Sequence, residues 1–137
     1  MACGRSFSVD FLNGVHVVLI GPEPLSRRLI ASILRYGGAL VTPVTSIVEA
    51  LEVMTRLRAD LLVAVMRGAG DEGIGLIADM RGRAPDDGRV LPVVALTPAP
   101  DALTPAQARA AGFDASLTMP VDPWELCRTI EGLVHPG

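Results

Sequence analysis

Residues 15–22 read VHVVLIGP, a short apolar run that ends in a glycine–proline turn, and this stretch decides the fold class because its form recurs. Comparable runs cover 40–42, 61–64, 93–96 and 115–118, and the last three end at Val65, Thr97 and Met119-Pro120. Continuous apolar runs are typical of strands in a sheet that is covered on both faces. Because segments with helical periodicity separate the runs, the sequence predicts an α/β fold with a parallel sheet and right-handed crossovers.

Cap signals mark where the helices begin and end. The signals are Gly37-Gly38 after a helix from about Leu25, a Ser46–Glu49 capping box, Thr104-Pro105 with Gln107 ahead of Gly112, and Asp122-Pro123 with Glu125. The apolar face of the first helix is predicted to hold Leu25, Leu29, Ile30, Ile33 and Leu34, and that of the second Ile47, Ala50, Leu51, Met54 and Leu57. A further helix is predicted around Ile74, Ile77 and Met80. We therefore expect five helices on both faces of a five-stranded sheet of order 2-1-3-4-5.

The composition excludes several classes of partner and site. The chain has 137 residues, enough for one domain, and half of them are apolar. The net charge is -3 and all twelve basic residues are arginines, so we expect no nucleic-acid partner. Cys3 and Cys127 are too few and too far apart for a disulfide framework or a metal site. We predict a reduced, cytoplasmic protein without a metal or a cofactor.

The chain is divided by composition into an N-terminal extension, residues 1–13, and a domain, residues 14–137. The run at 15–20 is too short to span a membrane, and it lacks the charged leader and cleavage site of a signal peptide. The sequence leaves open whether the domain is free-standing or part of a larger protein, and whether it forms a homodimer.

The residues at the ends of the runs carry a family resemblance. They are Gly21-Pro22, Val65, Thr97 and Met119-Pro120, accompanied by the segments 71–73 (DEG) and 111–115 (AGFDA). In this pattern residues 14–134 resemble the receiver domains of bacterial two-component response regulators. The resemblance implies a flavodoxin-like sheet and a signalling role. It also implies a protein partner, such as a histidine kinase or another domain of the same chain, and a cis peptide bond at Met119-Pro120.

The same resemblance implies a phosphorylation site, but the residues that stand there cannot form one. The family has an acidic pair, a phosphoacceptor aspartate and a lysine where this chain has Gly21-Pro22, Val65 and Met119. Valine supplies no carboxylate nucleophile, glycine and proline supply no side-chain oxygen for Mg²⁺, and the chain contains no lysine. Thr97 keeps the family's hydroxyl position, while Ser116 replaces the aromatic switch residue. The sequence therefore predicts a degenerate receiver, a pseudo-receiver.

Some polar residues near these positions have simpler interpretations. Glu23, Asp71 and Glu72 are the carboxylates that remain near the vacated site. We interpret Glu23 and Glu72 as exposed acids in the first turns of helices, where the helix dipole favours them. Thr97 is interpreted as a strand-end residue that closes a local hydrogen bond.

The first functional hypothesis is a phosphorylation-independent signalling module that acts through protein–protein contacts. In receivers the partner surface is commonly the stretch that corresponds to residues 104–134. On the last helix Trp124, Arg128 and Glu131 share one face, and tryptophan and arginine are typical interface anchors. The alternative, that Trp124 only folds over the preceding loop, stays open.

Two other functional classes make different demands on the sequence. A small-ligand sensor, for example for a cyclic dinucleotide, would use the vacated pocket with Arg27, Arg28 and Arg67 as anion contacts. An enzyme would need a nucleophile–base pair, a metal cluster or a cofactor loop, and the sequence offers none of these. We therefore predict no enzymatic activity and no membrane association.

Overall fold

Five parallel strands and four helices form the part of the chain that the computed structural model describes, which is residues 12–66, 91–98 and 104–134. The strands are β1 (His16–Ile20), β2 (Leu40–Val44), β3 (Leu61–Val65), β4 (Val93–Thr97) and β5 (Ala115–Thr118). The helices are α1 (Pro24–Tyr36), α2 (Ile47–Met54), α3 (Pro105–Ala111) and α4 (Pro123–Val134). The helix predicted around Ile74, Ile77 and Met80 lies outside the described residues.

The strands pair in the order β2-β1-β3-β4-β5, and every pair is parallel, so the predicted flavodoxin-like order is confirmed. The register places Ile20 beside Val44 and Ala64, and Leu96 beside Leu117. All five carboxyl ends consequently lie along one edge of the sheet. In open parallel sheets that edge is where ligands and reactive groups are held.

Alternate side chains of each strand fill two separate cores, one on each face of the sheet. Val18 and Ile20 of β1 belong to the core under α2 and α3, whereas Val17 and Leu19 belong to the core under α1 and α4. The central strands β3 and β4 are almost wholly buried, because both of their faces carry a core. This double burial is why their sequences are continuous apolar runs without alternation.

Leu12 belongs to the second of these cores. It is fully buried, and its N–H donates to the Gly37 carbonyl at 2.9 Å. Ordered packing therefore begins by Leu12, ahead of the boundary predicted at residue 14. Residues 1–11 of the predicted extension lie outside the described residues.

The predicted caps of α3 are formed, and those of α2 are formed with one difference. Thr104 and Gln107 make a reciprocal capping box, and Gly112 ends α3 with φ at 102°. At α2 the Ser46 hydroxyl accepts from the Glu49 N–H at 3.1 Å, but the Glu49 carboxylate accepts from the N–H and hydroxyl of Thr45. The carboxylate therefore reaches one residue further back than a capping box requires.

Part of the predicted apolar face of α1 is wrong. Ile30 and Leu34 are fully buried, but Leu25 is 72% exposed and Leu29 is 55% exposed. Successive helical residues rotate by about 100°, so Leu25 lies roughly 140° around the axis from Ile30. Leu57, predicted on the inner side of α2, is also exposed at 49%, because α2 ends at Met54.

No helix among the described residues is long and apolar enough to cross a membrane.

Candidate functional site

The positions predicted to hold the vacated phosphorylation site meet at the carboxyl edge of the sheet. Gly21 follows β1 and donates its N–H to the Val44 carbonyl at 3.0 Å. A Cβ atom at Gly21 would lie 3.6 Å from Cγ2 of Val65, the last residue of β3. On the other side, the Met119 N–H donates to the Thr97 carbonyl at 2.7 Å, which ties the end of β5 to the end of β4. The fold therefore assembles these positions as the sequence predicts.

Apolar side chains stand at the two positions that would handle the phosphoryl group. Val65 and Met119 are both partly buried, and both pack against the core under α1 and α4. A methyl group and a thioether provide neither an oxygen nucleophile nor a positive charge. The peptide bond between Met119 and Pro120 is cis, as the resemblance predicted.

The residues at the acidic-pair position do not fit Mg²⁺. This cation is held by several oxygen ligands, usually including one or two carboxylates. Gly21 and Pro22 contribute only backbone carbonyls, and the Gly21 carbonyl accepts a hydrogen bond from the guanidinium of Arg27. Within residues 12–66, 91–98 and 104–134 there is no group of three or more His, Cys, Asp or Glu side chains that could hold a metal ion.

Arg27 covers the floor of this site. Its Cβ and Cγ atoms lie 3.4 and 3.6 Å from where a Cβ atom of Gly21 would stand, and its Nη1 donates to the Gly21 carbonyl. Its charge also contributes to lowering the pKa values of Glu23 and Glu49, after the larger effect of the hydrogen bonds that those carboxylates accept. The Arg27 guanidinium is thus held at the Gly21 carbonyl, one of the positions where the resemblance implied a metal ligand. The sequence suggested Arg27 only as an anion contact.

Glu23 caps α1 and is exposed, as interpreted from the sequence, although it lies at the cap itself and not in the first turn. Its carboxylate accepts from the Ser26 N–H at 2.7 Å and from the Leu25 N–H at 3.3 Å. These are backbone donors that a phosphate would otherwise use at a helix N-terminus. The Glu23 carboxylate thus occupies two of these donors, and the Gly21 carbonyl occupies one N–H of the Arg27 guanidinium. Arg28 is exposed on α1, and Arg67, Asp71 and Glu72 lie outside the described residues.

The hydrogen bonds at the start of α1 predict how the Glu23 carboxyl titrates. Hydrogen bonding from Ser26 lowers the pKa of this carboxyl, so the bond stabilises the fold above the unfolded-state pKa and is lost as the pH falls through the folded-state pKa. We expect carboxyl NMR to show Glu23 titrating at a lower pH in the folded chain than in urea. Replacing Ser26 with proline, which removes the N–H, should raise the midpoint, whereas Arg56→Gln on the exposed turn after α2 should not. Equal folded and unfolded midpoints would contradict the cap.

Thr97 and Ser116 stand where the receiver switch would operate. Thr97 is 2% exposed at the end of β4, and its Oγ1 lies 3.4 Å from the Leu117 carbonyl. Ser116 is half-buried in β5 and pairs in register with Ala95. The hydroxyl at position 97 is therefore held within the sheet, and Ser116 offers no aromatic ring that could change rotamer with it.

The candidate interface residues lie on α4 as predicted from its periodicity. Leu126, Cys127 and Ile130 face the core, and burial raises the pKa of the Cys127 thiol. Arg128 is exposed, while Trp124 and Glu131 are half-buried. The Trp124 N–H donates to the Asp122 carboxylate at 2.8 Å, and this bond fixes the backbone at the first turn of α4. The Trp124 side chain is neither enclosed by the core nor fully open to solvent.

Sequence reasoning missed an apolar stripe on α1, formed by Leu25, Leu29 and Tyr36. The exposed fractions of these side chains are 72%, 55% and 72%, in that order. Their spacing of four and seven residues is itself a helical repeat, and periodicity alone does not distinguish it from the Ile30–Leu34 repeat. Among the described residues, α1 thus carries one buried and one exposed apolar stripe.

Comparisons with known proteins agree with the fold. No protein-family model matches the chain. Among curated proteins it is 33% identical over 120 residues to the "Uncharacterized 14.6 kDa protein in sodA1 3'region" of Leptolyngbya boryana, covering 88% of this chain and 90% of that protein.

Among solved structures, the chain is similar to the receiver domain of the sensor histidine kinase PA1611 from Pseudomonas aeruginosa PAO1. The TM-score is 0.74 at 25% identity, with 88% of this chain and 98% of the other covered. That structure has a magnesium ion coordinated in its active-site cleft. The chain also matches full-length FixJ from B. japonicum with a TM-score of 0.74 at 21% identity, covering 89% of this chain but only 58% of FixJ.

Proposed function

The chain belongs to the same protein family as the 14.6 kDa protein of Leptolyngbya boryana, and from its receiver fold we propose that it is a receiver-like signalling module that works without phosphorylation. The observation that carries this proposal is the packing of Val65 and Met119 against the core under α1 and α4. Both positions serve packing in this chain and neither has a group for phosphoryl chemistry. We also propose that the protein is not an enzyme and that it acts in the cytoplasm.

We propose that the domain signals by binding a partner protein and that its own conformation does not change when it does so. A receiver changes its surface when a phosphoryl group and a metal rearrange the residues at the carboxyl edge. Here Arg27 is bonded to the Gly21 carbonyl, and Thr97 is held in the sheet. We propose that the chain presents one fixed surface, and that signalling depends on its abundance or on the state of its partner.

The proposed contact surface is the stretch 104–134, which includes α3, β5 and α4. The partner belongs to a bacterial signalling pathway and is a histidine kinase, another domain of the same chain or a second copy. A half-buried tryptophan one helical turn from an exposed arginine supports this choice, because tryptophan and arginine are enriched among the residues that contribute most to binding at interfaces.

Two substitutions test this surface. Trp124→Ala and Arg128→Glu should each weaken partner binding by about tenfold or more, since each removes an anchor of a kind that alanine scanning finds important. The partner is recovered by pull-down from the native cells, identified by mass spectrometry, and its affinity measured by calorimetry with purified proteins. Arg28→Glu on α1 makes the matching charge change away from this surface.

The same measurement distinguishes the outcomes. Loss of binding in both variants, with Arg28→Glu unchanged and no effect of acetyl phosphate on the wild type, supports the proposal. Loss in Arg28→Glu alone would move the contact to α1 and its apolar stripe. Binding that strengthens only after acetyl phosphate treatment would overturn phosphorylation independence.

A further inference from the structure

Residues 12–15 form the turn through which the chain enters β1. The Val15 N–H donates to the Leu12 carbonyl at 2.9 Å, and Gly14 lies inside the turn with φ at 83°. A φ in this range favours glycine, because a Cβ atom is strained there, so the turn itself requires glycine after Asn13. The only asparagine of the chain is therefore followed by the one residue type that has no side chain.

The two residues at the centre of this turn are exposed. A Cβ atom built on Gly14 would meet nothing within 4 Å, and the Asn13 side chain is open to solvent. Neither the Asn13 amide nor the Gly14 N–H makes a hydrogen bond to any residue that the structure describes. The peptide unit between them can therefore rotate, as the central peptides of turns do, while Val15 keeps its bond to Leu12.

The two ends of the turn are, by contrast, held in the core. Leu12 is fully buried, and its N–H donates to the Gly37 carbonyl at 2.9 Å. Val15 is also buried, and its carbonyl accepts from the Leu40 N–H at 2.9 Å. Because protein interiors are close-packed, a longer main chain between Leu12 and Val15 would displace one of them from its place.

Asparagine is among the chemically labile residues of proteins, and its breakdown before glycine needs no reagent but water. The Gly14 backbone nitrogen attacks Cγ of Asn13, a C–N bond forms between them, and the bond from Cγ to the side-chain nitrogen breaks. That nitrogen leaves as ammonia and takes up the proton that the Gly14 nitrogen loses. Water then opens the cyclic imide at one of its two carbonyls, which gives aspartate or isoaspartate. In isoaspartate the main chain runs through Cβ and Cγ of the former asparagine, so it is one methylene longer.

We propose that Asn13 is a site of spontaneous deamidation in the folded chain, and that its isoaspartyl product releases Leu12 from the core. The exposed Asn13 amide can approach the Gly14 nitrogen, and glycine places no Cβ atom in the way. The added methylene falls between two buried residues, Leu12 and Val15. The product is also a substrate of the kind that isoaspartyl methyltransferases recognise. This site is separate from the carboxyl edge of the sheet and from the 104–134 surface, so it does not rest on the proposed function.

The test is incubation of the full chain in mildly alkaline and mildly acidic buffer, followed by intact-mass spectrometry and mapping of the tryptic peptide 6–27. We expect the mass shift that replaces one amide by one carboxyl group, with aspartyl and isoaspartyl peptides as two separate products. The shift should accumulate faster in the alkaline buffer, because the Gly14 nitrogen must lose its proton. Hydrogen exchange of the separated isoaspartyl chain should show a loss of protection at the Leu12 amide, which the Gly37 carbonyl otherwise holds.

Two variants of the same exposed residue serve as matched controls. Asn13→Gln keeps an amide but moves it one methylene away from the Gly14 nitrogen, so the mass shift should be lost. Freshly prepared Asn13→Asp adds the charge without lengthening the main chain, so the Leu12 amide should stay protected.

Three results would overturn the proposal. In the first, the folded chain keeps its mass while the chain in urea gains the shift, because the fold then protects Asn13. In the second, Asn13→Gln gains the shift as fast as the wild type, which would assign the reaction to a glutamine. In the third, the isoaspartyl chain protects Leu12 as well as the wild type does.

Discussion

Incubation with acetyl phosphate and Mg²⁺ is expected to leave the intact mass of this chain unchanged. The position that would accept the phosphoryl group is Val65, whose side chain has no oxygen and packs against the core under α1 and α4. The neighbouring Gly21 and Pro22 have no side-chain oxygens for the metal, and Met119 has no charge to meet the phosphoryl group. Intact-mass spectrometry is the measurement, with an active receiver domain treated in parallel as the positive control.

Restoring the nucleophile alone should not restore the reaction. In Val65→Asp the new carboxylate would be partly buried, with neither metal ligands nor a lysine, and burial raises a carboxyl pKa. We expect this variant to stay unmodified and to unfold at lower denaturant concentration than the wild type. A hydroxylamine-sensitive gain of one phosphoryl group in the wild type would show that a carboxylate elsewhere in the chain accepts it and would overturn the proposed function.

Beryllofluoride with Mg²⁺ gives the same prediction without a covalent bond. It imitates an aspartyl phosphate only where a carboxylate, a metal site and a cation meet, and the carboxyl edge of this sheet provides no such set among its described residues. No change in the amide spectrum around Gly21, Val65 and Thr97 is expected. Saturable shifts confined to these residues would contradict this prediction.

The fold was predictable because its determinants are short and local. Each strand is an apolar run with a turn signal at its end, and each described helix has a cap that a few adjacent residues define. The parallel arrangement then brings the strand ends together whatever residues occupy them. This is why Gly21, Val65, Thr97 and Met119 could be placed at one edge from sequence alone, together with the chemistry that they lack.

The sequence did not predict which face of α1 is buried, which arginine reaches the Gly21 carbonyl, or where α2 ends. In each case the sequence allows more than one arrangement of the side chains. Helical periodicity alone does not separate the Ile30–Leu34 stripe from the Leu25–Leu29 stripe, because both repeat at four residues. Of two adjacent arginines, Arg27 reaches the Gly21 carbonyl while Arg28 is exposed, and the sequence alone does not say which of them does so. The exposure of Leu57 arises from where α2 ends, and the ends of helices are difficult to place from sequence.

The two stripes of α1 predict a large difference between two chemically identical substitutions. Leu34→Ala removes a fully buried side chain and should lower the free energy of unfolding by about 2–5 kcal/mol, because it leaves a cavity in the core under α1 and α4. Leu29→Ala removes a side chain that is 55% exposed, and alanine has the higher helix propensity, so its effect should stay within about 1 kcal/mol. Urea unfolding of both variants and the wild type measures the difference. Similar losses for the two would mean that α1 is rotated relative to this structure and that Leu29 belongs to the core.

If only Leu34→Ala is destabilising, Leu29 can be replaced without weakening the domain. Any loss of partner binding in Leu29→Ala then reports on the exposed stripe itself.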